Sequence, residues 1–123
     1  MIRAWLIAAA ISGFLSVVAG AVAAHLDAGD RAAGLLRAGT LYGMIHAAAL
    51  VGVAAVAGVH GGPTRGLITA GWCFAGGTIL FSLSLFGLAL TGIEWLGLVT
   101  PFGGIGLLLG WAALALHAFD RGP

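Results

Sequence analysis

Four long apolar runs fill most of this 123-residue chain, and they determine which solvent it folds in. Each run has 19 to 24 residues, enough for an α-helix to cross the ~30 Å hydrocarbon core of a bilayer. Only helices and closed barrels satisfy the backbone in lipid, and the runs lack the alternation of a barrel strand. The runs are Ala4–Ala24, Leu41–Val59, Leu67–Leu90 and Leu96–Phe119. We therefore predict an all-α membrane protein with four transmembrane helices in a single domain, residues 1–123.

The composition supports a membrane protein and excludes several other classes. Hydrophobic residues make up 61% of the chain and charged residues 7%, whereas about a quarter of a soluble domain is charged. The net charge of +1 provides no basic surface for nucleic acid, so the lipid bilayer is the partner that composition predicts. The lone Cys73 allows neither an internal disulfide nor a cysteine-rich metal site.

The segment between the first two runs has an amphipathic pattern of its own. Small and apolar residues recur at helical spacing between Asp27 and Thr40, and the charged residues fall on the opposite face. Asp27 is placed to cap a helix and to pair with Arg31 one turn later. This pattern predicts a short amphipathic helix between the first and second transmembrane helices, which lies on the outer membrane surface or folds over the bundle.

The charges in the loops predict the orientation of the chain. The side that holds both termini and the second loop has three basic residues and one acidic residue: Arg3, Arg65, Asp120 and Arg121. The other side has two basic and three acidic residues: Asp27, Asp30, Arg31, Arg37 and Glu94. Short cytoplasmic loops carry the excess of Lys and Arg, so we expect a multi-pass protein of the inner (plasma) membrane with both termini in the cytoplasm.

Tryptophans and small residues indicate how the helices are placed. Trp5, Trp72 and Trp95 lie near the ends of the runs, where such rings favour the membrane interface. Small residues at four-residue spacing allow helix backbones to approach closely, which is how helices associate in lipid. The predicted helix-packing residues are Ser12, Ser16, Gly20, Gly39, Gly43, Gly106 and Gly110. They fit packing within one bundle or self-association equally well.

A few polar side chains collect at the predicted outer ends of the helices. The candidate ligand-binding residues are His25, Tyr42, His46, Thr100 and Pro101. His46 is the most informative, because ionisable residues inside a membrane often mark a site. It either binds a ligand or, as a neutral imidazole bonded to Tyr42, Thr100 or a carbonyl, fastens the second helix to the fourth.

The metal signal is weak. His25 and His46 are the only candidate ligands, whereas a closed zinc site needs four ligands and a catalytic one three. The sequence requires no cofactor.

Several blocks of sequence resemble a known family. They are the stretch from Ala9 to Phe14, the Gly20–His25 block, the Gly39–His46 stretch, Gly77–Ser82, Thr100–Gly104 and Gly110-Trp111. The chain resembles the YgdD-like family of small membrane proteins, a domain of unknown function whose animal relatives are mitochondrial. The resemblance implies four membrane helices with an outer segment between the first two. It also implies that the family's histidine, Tyr-x-x-x-His and Thr-Pro-x-Gly-Gly motifs correspond to His25, to Tyr42 and His46, and to Thr100, Pro101, Gly103 and Gly104.

Two functional hypotheses follow, and an enzyme ranks third. The first is a non-catalytic accessory or scaffold component that packs against itself or against a larger membrane complex. The alternative is an outward-facing pocket at His25, Tyr42 and His46 that binds a quinone, lipid, haem or metal. No catalytic residue is predicted, because no serine has an obvious base and acid partner.

Overall fold

The computed structural model describes residues 1–27 and 29–121, which form four α-helices in chain order. The helices are α1 (Ile2–His25), α2 (Asp30–Val59), α3 (Arg65–Thr91) and α4 (Leu96–Arg121). Each is long and apolar enough to cross a membrane, and the described residues contain no strand. The predicted class of an all-α protein with four membrane helices is confirmed.

The separate outer helix predicted between Asp27 and Thr40 is wrong in one respect. The segment is helical from Asp30, but it continues without a break into α2, which has 30 residues. Leu36 is 1% exposed and packs against α1 and α3, so this segment joins the bundle and does not lie on the membrane surface. Gly29, with φ of 85°, is the N-cap of α2, and Asp27 does not cap it.

The helices run antiparallel in sequence order, and α3 is central. α1 packs along α2, α2 along α3 and α3 along α4, whereas α1 and α3 have only a few contacts. α4 packs almost wholly against α3. Its buried residues, Gly103, Leu107, Gly110, Ala113 and His117, recur every three or four positions and form one stripe. The bundle is therefore open on the side where α1 and α3 diverge.

Glycines bring α3 and α4 into backbone contact. A Cβ at Gly103 would collide with the backbone nitrogen of Phe81 and would lie 2.9 Å from the carbonyl oxygen of Gly77. A Cβ at Gly77 would lie 2.9 Å from the backbone nitrogen of Leu107, and one at Gly106 would lie 3.2 Å from Gly77 Cα. Lipid gives helices no hydrophobic reason to associate, so contact at this range supplies much of the attraction.

The contact of α2 with its neighbours also depends on small residues. Gly43 lies between Ser16 of α1 and Ser82 of α3, and the hydroxyl of Ser82 donates to the carbonyl of Gly39 at 2.9 Å. A Cβ at Gly39 would collide with the ring of Phe86. All seven small residues singled out in the sequence lie at helix–helix contacts: Ser12, Ser16, Gly20, Gly39, Gly43, Gly106 and Gly110.

Trp5, in the first turn of α1, faces the interior of the bundle and not lipid. Its ring is fully buried, because Gly71 has no side chain and leaves a space on α3 that the indole fills. The edge of Trp72 meets the Trp5 ring, with the centroids 6.3 Å apart. Trp72 and Trp95 are themselves 49% and 62% exposed, in keeping with rings that face lipid or the interface.

Two adjacent glycines on α4 test the backbone contact with α3. Gly103→Ala places a methyl group against the Phe81 backbone, and overpacking of this kind lowers the free energy of unfolding by about 1–3 kcal/mol. Gly104→Ala is the matched control, because its Cβ would lie 3.7 Å from the Phe81 ring, an ordinary contact. Its higher helix propensity should raise that free energy by up to about 1 kcal/mol. Unfolding in mixed micelles measures both, and a Gly103→Ala protein as stable as Gly104→Ala would contradict the contact.

Candidate functional site

A groove between α1 and α3, with α2 as its floor, is the main cavity near the polar residues. Its volume is about 360 Å³, and it exists because α1 and α3 diverge above their contact at Trp5. Ala47 and Leu50 lie in the floor, and Ile11 and Ile79 belong to opposite walls. The two isoleucines are 56% and 54% exposed, so the groove opens sideways toward lipid. We call this cavity the α1–α3 groove.

The groove runs along the helices. Its lining extends from Ala4 to Ser16 on α1 and from Phe74 to Phe86 on α3. Twelve residues of helix rise about 18 Å, which is more than half of the ~30 Å hydrocarbon core. The lining is apolar except for His46 and four hydroxyl side chains, those of Ser12, Ser16, Thr78 and Ser82. The groove is therefore long, narrow and mostly apolar, and its few polar side chains lie at a similar depth in the membrane.

His46 borders the groove but uses both ring nitrogens within the bundle. Nδ1 lies 2.7 Å from the carbonyl oxygen of Tyr42, one turn earlier on α2, and must donate its proton there. Nε2 then accepts from the indole N–H of Trp111 on α4, at 3.0 Å. The side chain is 4% exposed, and the Phe74 ring lies 5.6 Å from its own. His46 therefore links α2 to α4 as a neutral imidazole whose tautomer is set by two partners.

The structure keeps most of the predicted site residues apart. The hydroxyl of Ser12 donates to the Gly43 carbonyl at 3.2 Å, so Ser12 lies near the depth of His46, three residues further along α2. His25 is exposed at the end of α1, thirteen residues beyond Ser12, or about 20 Å along the helix axis. Thr100 precedes Trp111 by eleven residues of α4, or about 16 Å.

Tyr42 and His46 are the one predicted pair that the structure brings together. Their rings stack with an interplanar angle of 6° and centroids 6.1 Å apart. Thr100 instead shares a 2.6 Å hydrogen bond with the hydroxyl of Ser84 on α3, and Pro101 is exposed in the second turn of α4. Among residues 1–27 and 29–121, no group of three or more His, Cys, Asp or Glu side chains could hold a metal ion.

Two hydroxyl side chains of the groove fasten α1 and α3 to the backbone of α2. Ser12 and Ser82 donate to the carbonyls of Gly43 and Gly39 on α2. Ser16 is 1% exposed and its hydroxyl lies against Gly43 of α2, and Thr78 is 6% exposed. The signal in the sequence is the i, i+4 repeat of hydroxyl residues on both helices, Ser12 with Ser16 and Thr78 with Ser82.

Polar contacts also close both ends of the bundle. Arg31 of α2 forms two hydrogen bonds, 3.0 and 3.1 Å long, to the carboxylate of Glu94 in the α3–α4 loop. The guanidinium holds the pKa of Glu94 below its usual value through this hydrogen bond and its charge. At the other end, Nδ1 of His117 bonds to the hydroxyl of Thr64 at 2.8 Å, and the His60 ring lies against that of His117.

The comparisons with known proteins identify the family. Residues 19–104 match the family described as "Protein of unknown function (DUF423)". The chain belongs to this family. It is 35% identical over 119 residues to the UPF0382 membrane protein YwdK of Bacillus subtilis, covering 94% of this chain and 96% of the relative. It is 38% identical over 122 residues to the UPF0382 inner membrane protein YgdD of Escherichia coli K12, covering 94% and 89%.

The family assignment confirms the resemblance seen in the sequence. The relatives are named membrane proteins, in agreement with the four apolar helices of this DUF423 member, and their function is unknown. No solved structure matches the chain.

The bond between His46 and Trp111 in this DUF423 protein can be tested by removing its donor. Trp111→Phe keeps an aromatic ring against Phe74 but loses the indole N–H, so we expect the free energy of unfolding to fall by about 0.5–1.5 kcal/mol. The ¹⁵N shift of His46 Nε2 should also move, because its lone pair loses its donor.

Trp95→Phe is the control for this substitution. The Trp95 indole is 62% exposed and makes no hydrogen bond to the described residues, so stability and the His46 resonance should stay unchanged. Equal effects of the two substitutions would show that the indole N–H of Trp111 does not hold His46.

Proposed function

We propose that this protein is a non-catalytic membrane component that holds the hydrocarbon chain of a membrane lipid in the α1–α3 groove. The observation that carries the proposal is an apolar cavity of about 360 Å³ that opens sideways within the membrane-spanning part of the bundle. Small-molecule sites have volumes of about 300–1,000 Å³ and mostly apolar walls with a few polar groups. The groove fits the lower end of that range and the length of one extended chain.

The hydrogen bonds of the polar residues support a role without catalysis. A nucleophile needs a base within hydrogen-bond reach, and the base needs a free acceptor nitrogen. Both nitrogens of His46 are engaged, by Tyr42 and Trp111. The hydroxyls of Ser12 and Ser82 are turned to helix carbonyls. These contacts favour binding over reaction.

The same contacts favour a chain-like lipid or quinone over haem or a metal. Haem and metal ligation needs an imidazole nitrogen with a free lone pair, which His46 lacks in this arrangement. His25, the second candidate ligand, lies about 20 Å away along α1. The accessory or scaffold role extends the proposal. The bundle would present the lipid chain in its groove to a second membrane subunit or to a second copy of the protein.

The orientation belongs to the proposal as well, because it determines the leaflet from which the groove is filled. The basic residues Arg3, Arg65 and Arg121 favour a cytoplasmic location for both termini. In a Cys73→Ala background, an impermeant thiol reagent applied to intact cells should label Asp27→Cys and leave Asp120→Cys unlabelled until the cells are opened. The reverse pattern would place the termini outside.

Photocrosslinking tests the groove as a lipid site. A diazirine-bearing fatty acid in bilayer nanodiscs should label the groove walls around Ile11 and Ile79 more strongly than the lipid-facing surface of α4. Ala8→Phe fills the groove and should reduce the wall labelling to the level of α4, because the chain no longer fits. The measurement is mass spectrometry of the labelled peptides.

Ala10→Phe is the matched control, since Ala10 is exposed on the same helix and lies outside the groove lining. It should leave the labelling pattern of the parent protein in place. Equal labelling of the groove walls and α4 in the parent protein, or loss of the pattern in both variants, would contradict the proposal.

A further inference from the structure

The two ends of the α1–α3 groove differ. At one end, Leu36 of α2 packs against Ala19 of α1 and Phe86 of α3, so the two helices are joined again beyond the groove. At the other end, the lining begins at Ala4, two residues after α1 begins. Trp5 is turned into the bundle, but Ala4 is exposed. The lining therefore reaches the first turn of α1, and a chain held in the groove emerges there.

Arg3 continues one wall of the groove. Ile7, Ile11 and Leu15 line the groove at intervals of four residues, and Arg3 precedes Ile7 by the same interval. Residues four apart share a helix face, and the side chains of a helix lean toward its N-terminus. Arg3 is exposed. It therefore follows the last apolar residue of this wall, at the end where a lipid chain emerges.

Two tryptophans indicate that this end of the groove is near the membrane interface. Trp72 of α3 is 49% exposed, and its edge meets the ring of Trp5, the residue that follows Ala4. Half-exposed indoles favour the level of the lipid headgroups. On α1, the lining ends at Ser16, which is nine residues, or about 14 Å, before the end of the helix. A headgroup therefore reaches the groove most directly at the end near Arg3.

The charges at this end favour an anionic headgroup. The first turn of α1 contains no acidic residue, and its unbonded backbone N–H groups add a partial positive charge to that of Arg3. A guanidinium binds a phosphate through two parallel hydrogen bonds. At the opposite end of the bundle, three acidic residues face two basic ones, and Arg31 is already paired with Glu94.

We propose that the occupant of the groove is an anionic phospholipid from the leaflet that faces the N-terminus of α1. Its phosphate binds Arg3, and one of its chains lies along Ile7, Ile11 and Leu15 with its methyl end toward Phe86. A zwitterionic headgroup also contains a phosphate, but its ammonium group offsets the attraction to Arg3. The inference rests on the proposed function, since it names the headgroup charge and the direction of the chain that the α1–α3 groove holds.

Two photoreactive phospholipids that differ only in the headgroup test this selection. Phosphatidylglycerol and phosphatidylcholine with the same diazirine-bearing chain are each added, at the same small fraction, to nanodiscs of unlabelled phosphatidylcholine. We expect phosphatidylglycerol to label the walls at Ile11 and Ile79 about fivefold more strongly, the effect of one arginine near a membrane surface. Labelling of the α4 surface is the reference, because α4 ends in Arg121 and corrects for general enrichment of anionic lipid around the protein.

Substitutions then locate the selection. Arg3→Gln removes the charge from an exposed side chain and should bring the ratio of the two lipids close to one. Arg37→Gln is the matched control, because Arg37 is also exposed but lies in the first turns of α2, at the opposite end of the bundle. The fivefold ratio should persist in that variant.

The outcomes separate this inference from the proposed function. If both lipids label the groove walls equally and above the level of α4, the headgroup selection is wrong and chain binding stands. If the preference is lost in Arg37→Gln and kept in Arg3→Gln, the lipid enters from the opposite leaflet and the inference is overturned. A preference that survives both substitutions shows that Arg3 does not cause it. If neither lipid labels the groove above the level of α4, chain binding itself fails.

Discussion

Close backbone contact between α3 and its neighbours is the constraint on which the rest of the structure depends. Lipid tails are as apolar as the side chains on the helix surfaces, so moving a side chain from lipid into a helix contact gains no hydrophobic free energy. Helices in lipid associate instead through van der Waals contact and hydrogen bonds. Gly77 and Gly103 allow α4 to touch α3 along its backbone, and Gly43 allows α2 to approach the serines of α1 and α3. α1 and α3 lack such a seam over most of their length, so they diverge. The groove is a direct result of where the glycines are and where they are absent.

Hydrophobicity and small-residue spacing were sufficient to predict the helices and much of their packing. The four apolar runs correspond to the four helices, because lipid permits few alternatives to a helix of that length. The amphipathic segment before Leu41 was the exception. Its charges suggested a surface helix, but no proline interrupts it and Leu36 finds a place between α1 and α3. Tertiary contact, which no local pattern records, decided between the two structures.

The candidate site was less predictable, because it depends on depth as well as on residue type. The sequence placed His46 at an outer helix end, since the second run begins at Leu41. The extension of α2 to Asp30 moves His46 to the middle of a helix of 30 residues, away from His25 and Thr100. The fastening of the second helix to the fourth was among the interpretations of His46, but the partner on α4 is Trp111 and not Thr100. Likewise, the burial of Trp5 depends on Gly71, 66 residues later in the chain.

The hydrogen bond between His46 and Trp111 has a consequence for the freedom of α4. A contact built on glycines is smooth, and a smooth helix can rotate or slide by part of a turn on its neighbour at little cost. α4 packs almost wholly on α3, so no other helix blocks such a movement. The indole N–H of Trp111 is directional and reaches past α3 to a nitrogen on α2. Together with the hydrogen bonds of Thr100 to Ser84 and of His117 to Thr64, this bond sets the rotation of α4 about its axis and thereby determines which of its side chains face the surrounding membrane.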